Sequence, residues 1–224
     1  MNDSPIVQRM SGQSALEINS VLRNTYLLLS LTLLFSAGMA WYAMSINAAP
    51  VGIILFLVGI FGLNWLTSAL RNSPWGILAA FAYTGFLGYV LGPILSFYIH
   101  GFSNGPQLVM TALGATGTIF LGLSAYAVVS RKNYSFMGGF LFVAILSAFL
   151  LGLGAVFFQM PMLQLAVSGL FCLISSAYIL YTTSAIIHGG ERNYVMATIM
   201  LYAQLFNLFL SLLQILSFFA GNRD

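Results

Sequence analysis

The stretch MATIMLYAQLFNLFLSLLQILSFF, Met196 to Phe219, decides the fold. It is 24 residues long with no acid or base, enough to cross a bilayer core as a helix. Within it Gln204, Asn207, Ser211 and Gln214 recur at steps of three, four and three, which places them on one helix face. A segment apolar everywhere except along one polar seam should turn that seam away from lipid. This helix is therefore expected to be buried among other membrane helices.

The rest of the chain supplies those helices. Of its 224 residues 60% are hydrophobic and 5% charged, too few charges to cover a soluble domain of this length. Seven apolar segments are expected: Leu22–Ser45, Val51–Leu70, Trp75–Tyr98, Leu108–Val129, Gly138–Phe158, Leu163–Ile187 and Met196–Phe219. Short connections carrying Pro50, Pro74, Pro106, Pro161 and Gly189-Gly190 separate them. The runs are too long and too uniform for the alternating strands of an outer-membrane barrel. The expectation is an all-α membrane protein of seven transmembrane helices spanning residues 21–224. It is preceded by a polar tail, residues 1–20, without the apolar core of a signal peptide and expected to be disordered and cytoplasmic.

Charge placement orients the bundle. Arg9 and Arg23 precede the first segment, Arg71 follows the second, Arg131 and Lys132 the fourth, and Arg192 the sixth. With seven alternating crossings these lie on one side, and only Arg223 falls on the other. The positive-inside rule then puts the N-terminus in the cytoplasm and the C-terminus outside. Trp41, Tyr42 and Tyr98 at one boundary, with Trp65, Trp75 and Tyr26 at the other, suit interfacial aromatic belts. Gly114, Thr118 and Gly122 form a small-residue face expected to pack closely on a neighbour.

The pattern excludes several functions. The net charge of +3 is small and scattered, so no nucleic-acid partner is expected. Cys172 is alone and cannot form an internal disulfide. There is no phosphate-binding glycine loop, no zinc motif and no carboxylate pair within the membrane, so neither catalytic nor metal-ligating residues nor a cofactor are expected. His100 and His188 read as interfacial residues. The polar seam remains, either as hydrogen-bonded packing or as a path for a cation lined by neutral oxygens. Thr182 on the sixth segment lies about 8 Å, and Gln204 on the seventh about 12 Å, from the same boundary, so the two are candidates to face each other.

Three stretches carry a resemblance: TGFLGYVLGPIL from Thr84 to Leu95, YILYTTSAIIHGGE from Tyr178 to Glu191, and YAQLFNLF from Tyr202 to Phe209. Together they resemble the Bax inhibitor-1 family of seven-helix membrane proteins. VLRNTYLLLSLTLLFSA from Val21 to Ala37 and HGGERNY from His188 to Tyr194 look closer to one bacterial branch of it. The resemblance implies six helices around a central seventh. It also implies two activities. Some family members are pH-dependent calcium leaks gated by two Asp residues on the sixth and seventh helices. Those positions here are Thr182 and Gln204, neither of which titrates near neutral pH. The bacterial branch is implied to bind the membrane-bound AAA+ protease FtsH and to restrain its degradation of membrane proteins such as SecY. For that role the tail, with Asp3, Arg9 and Glu17, would be the handle, since about 20 extended residues reach about 60–70 Å. The expected function is thus an inner-membrane protease modulator without catalysis of its own, with a cation leak as the alternative.

Overall fold

The computed structural model describes residues 5–221, with side chains from Glu17 onward. Its seven helices are α1 (Pro5–Ser45), α2 (Ile53–Leu70), α3 (Trp75–Gly101), α4 (Gly105–Ser130), α5 (Met137–Phe157), α6 (Pro161–Ile187) and α7 (Tyr194–Gly221). All seven are long and apolar enough to cross a membrane. Each expected segment lies within a helix or overruns it by two residues at most, because an apolar run of this length in lipid must satisfy its own backbone. The ends carrying Arg23, Arg71, Arg131, Lys132 and Arg192 are called the basic end, the opposite ends the far end.

α1 departs from expectation. It starts at Pro5 and continues through residue 20, where an unstructured tail was expected to stop. Proline is tolerated at a first helical position, and Ala15, Leu16 and Glu17 are strong helix formers, so nothing local ends the helix before the membrane. Asp3 lies outside the described residues, and so does the Arg9 side chain.

α7 packs against α1, α2, α3, α4 and α6. The main core gathers around it, with Leu201 and Leu208 buried against Leu29, Leu87 and Ile179. α2 and α5 are the outermost helices. α5 packs on α6 alone, and on α2 only Thr67 is fully buried. Their exposed Phe61, Phe140 and Phe142 are the surface expected against acyl chains. Trp41 and Trp75 stand exposed near opposite ends, as an interfacial belt requires. Tyr26 does not: it turns inward, its ring centroid 5.8 Å from that of Phe120 and its hydroxyl 3.5 Å from Thr183 Oγ1.

The closest helix pair is α1 with α3. A Cβ built on Gly88 would collide with the carbonyl oxygen of Ser36, and one on Gly92 would lie 2.8 Å from that of Ala40. This glycine face, not the one on α4, is where backbones touch. Gly114, Thr118 and Gly122 are exposed, nothing lies within 4 Å of a Cβ added at either glycine, and the Thr118 hydroxyl donates back to Gly114 O at 2.8 Å. α4 instead turns inward the row Leu108, Ala112, Thr116, Phe120, Ser124 and Ala127. Residue size shows where close approach is possible; the side a helix presents depends on its larger apolar residues.

Replacing Gly88 with Val should destabilise the bundle by about 1–3 kcal/mol, since a backbone oxygen has little room to retreat. Gly114→Ala should leave stability unchanged or slightly raised. Thermal unfolding in detergent, followed by circular dichroism, distinguishes the two.

Candidate functional site

Two places gather polar side chains, one along the far half of α7 and one at the basic end. On α7 the expected seam is only partly internal. Ser211 is buried, Gln204 and Gln214 are half-buried, and Asn207 is exposed. Asn207, Ser211 and Gln214 face a groove of 380 Å³ between α5, α6 and α7, joined from α6 by Gln164 and Ser168. Ser168 Oγ donates to Gln164 O at 2.9 Å, and Gln164 Nε2 reaches Ala155 O at 3.4 Å. The amides of Asn207 and Gln214 make no hydrogen bond among the described residues; only the Gln214 backbone oxygen does, accepting from Ser217 Oγ at 2.9 Å. The seam was expected to be enclosed. It is open here because α5, the helix beside it, leans on α6 without reaching α7.

Thr182 and Gln204 are not joined by a hydrogen bond. Thr182 Oγ1 is buried with no partner among the described residues. Both groups are neutral, so this position holds no proton to exchange near pH 7.

The opposite face of α7 carries a polar junction that the seam did not suggest. The Tyr202 hydroxyl, 2% exposed as a residue, donates to Thr84 O on α3 at 3.2 Å and accepts from Ser36 Oγ on α1. One turn towards the basic end, Thr198 Oγ1 lies 2.7 Å from Tyr194 O and 3.2 Å from Thr25 O of α1. The signal for this junction was in the sequence: Ser36, Thr84 and Tyr202 each fall in a separate stretch of the resemblance above.

At the basic end the α6–α7 connection ties down two others. Ser184 Oγ donates to Lys132 O and accepts from Tyr134 N–H, each at 3.0 Å. His188 sets Nδ1 2.9 Å from Ser184 O and Nε2 3.1 Å from Arg131 O. Carbonyls only accept, so a neutral ring serves one of them and an imidazolium both. The Tyr134 phenol is pushed above its ordinary pKa, first by its hydrogen bond with Tyr126 and then by desolvation. Gly189, at φ +72°, supplies the left-handed turn that ends α6. Asn193 then caps α7: Oδ1 accepts from the N–H groups of Val195 at 3.0 Å and Met196 at 3.1 Å. Its Nδ2 donates to Arg71 O at 2.8 Å and Asn72 Oδ1 at 3.1 Å, so the cap also fastens the α2–α3 turn.

Beside this knot lies a cavity of 520 Å³ between the first part of α1 and the α6–α7 connection, lined by Glu17, Ser20, Asn24, His188, Glu191 and Arg192 among others. Of the residues expected to meet a protease, Glu17 is thus exposed at the rim of a mixed-charge pocket. Among the described residues no three His, Cys, Asp or Glu side chains converge as metal ligands. Ser168 and Ser176 donate to their own helix backbone, as hydroxyls in membrane helices commonly do.

A family profile described as "Inhibitor of apoptosis-promoting Bax1" matches residues 18–221, nearly the whole chain. The chain belongs to the Bax inhibitor-1 family. Within that family it is similar to an Escherichia coli protein named "Modulator of FtsH protease YccA", with 49% identity over 94% of each chain. An uncharacterized protein of Pseudomonas aeruginosa is 50% identical over 92% of each chain. An uncharacterized membrane protein of Vibrio cholerae is 41% identical over 99% of this chain and 100% of its own. The family membership and the seven apolar helices agree on a multi-pass membrane protein.

Asn193→Ala removes the α7 cap and the α2–α3 fastening together. It should cost about 1 kcal/mol or somewhat more and speed amide exchange at Asn72 and Ser73. Asn133→Ala, whose side chain accepts only from Ser135 N–H, should leave exchange at those amides unchanged.

Proposed function

We propose that this protein is an inner-membrane modulator of an FtsH-type membrane-bound AAA+ protease, and that it slows the degradation of membrane proteins, SecY among them. The observation that carries the reading is the 49% identity, along 94% of each chain, to the Escherichia coli protein named as a modulator of that protease. A relative from another strain of that species bears the name "Inner membrane protein YccA". The positive-inside rule supports a cytoplasmic basic end, with the N-terminus there and the C-terminus in the periplasm. An ATP-driven protease works from that side. The surface offered to it is the start of α1 together with the pocket that holds Glu17, His188, Glu191 and Arg192. The Asn193 and Ser184 bonds tie the ends of α6 and α7 beside that pocket to the α2–α3 and α4–α5 connections. The neutral Thr182 and Gln204 favour this reading over a proton-gated cation path.

Association is testable by co-purification of the protease from detergent-solubilised membranes. The full chain should co-purify and lengthen the lifetime of a membrane substrate several-fold. Removal of residues 2–16, which leaves the membrane span from Glu17 intact, should shorten that lifetime again. A full chain that neither associates with the protease nor slows it would rule the proposal out.

A further inference from the structure

The groove in the far half of the bundle takes no part in the protease reading, yet it is the more unusual surface. Its floor is polar and its rim apolar. Asn207 and Gln214 stand two turns apart on α7, about 10 Å along the axis, with Gln164 in the first turn of α6. Asn207 lies about 20 Å from the far end of α7, close to the middle of a bilayer core about 30 Å thick. It is exposed there, and neither it nor Gln214 has a protein partner among the described residues. An amide left unpaired in hydrocarbon is costly.

Three features of the groove select its occupant. The first is depth. A lipid headgroup stays at the interface and reaches the level of Gln164, but Asn207 lies well below it. The second is the rim. Phe149, Leu153 and Val156 stand 50%, 53% and 68% exposed on α5, spaced as one helical ridge beside the polar floor. The third is the floor itself, where Gly152, Ser168 and Ser211 are small and a Cβ on Gly152 would touch only Val167, at 3.5 Å. Small residues let a second helix approach closely, an apolar ridge packs against its side, and amides bond its polar side chain.

We propose that this groove docks a transmembrane helix of another membrane protein, one that carries an Asn, Gln, Ser or Thr side chain at mid-membrane depth and pairs it with Asn207 and Gln214. α5, bound to α6 alone, forms the wall on which that helix rests.

The test uses full-length, acceptor-labelled protein in phosphatidylethanolamine–phosphatidylglycerol vesicles with no protease present. The probes are two donor-labelled Leu/Ala transmembrane peptides, one with a central Asn and one with Leu in its place. Energy transfer should show the Asn peptide binding at least about threefold more tightly than the Leu peptide. Asn207→Leu combined with Gln214→Leu should bring the two peptides to equal affinity. Gly152→Leu, which fills the floor, should weaken both. Equal binding of the two peptides to the unaltered protein, the result if water or lipid fills the groove, overturns the proposal. Should the double variant lose its thermal transition, Gly152→Leu decides: undiminished binding to it overturns the proposal as well. Because no protease takes part, docking can fail while the modulator reading stands, and the reverse.

Discussion

The bundle depends on one buried hydroxyl. Tyr202 Oη joins α7 to the Thr84 carbonyl on α3 and to the Ser36 hydroxyl on α1, at a point where its ring is also 6.3 Å from that of Tyr83. In lipid the hydrophobic effect does not hold helices together, so close packing and bonds of this kind must do so. The junction forms only because α1 and α3 approach at Gly88, where the Ser36 backbone fills the space a side chain would take. Glycine on α3, serine on α1 and tyrosine on α7 are therefore one constraint. It fixes α1, α3 and α7 as a unit to which α2, α4 and α6 are added, with α5 leaning on α6 alone.

That unit accounts for the asymmetry between the two ends. At the basic end the last turn of α6 and the short α6–α7 connection reach both neighbouring turns, through Ser184 and His188 on one side and Asn193 on the other. The helices are gathered there. In the far half α1 is held against α3, and α5 holds only to α6. No helix is left to cover the face of α7 that carries Asn207 and Gln214. The groove is the geometric consequence of where the tight contacts were placed.

This also explains what the sequence made legible. Seven spans, their order and the clustering of basic residues follow from apolar run length and charge, which depend on position along the chain alone. Which way each helix turns does not. The small residues of α4 and those of α3 look alike in sequence, yet Gly114 and Gly122 face outward while Gly88 meets a backbone. The seam on α7 was readable as a seam, since its spacing is intrinsic to the helix. Its exposure at Asn207 was not, because that depends on α5 stopping short of α7. Tyr26 reads as a belt residue by position and is internal by contact with Phe120. The start of α1 reads as tail because it is polar, but polarity alone does not break a helix that contains Ala15, Leu16 and Glu17.

The chemistry of the α6–α7 face bears on function in the same way. A carboxylate pair at Thr182 and Gln204 would have made that face responsive to protons; a hydroxyl and an amide make it responsive only to hydrogen-bonding partners. Thr182 Oγ1 is closed off among its neighbours, whereas Asn207 and Gln214, further along α7, are open to the side. The unpaired amides of the central helix are thus directed laterally, into the plane of the membrane. The bonded basic end and the open polar flank are two separate surfaces, one built on the connections between helices and the other on the side of the central helix.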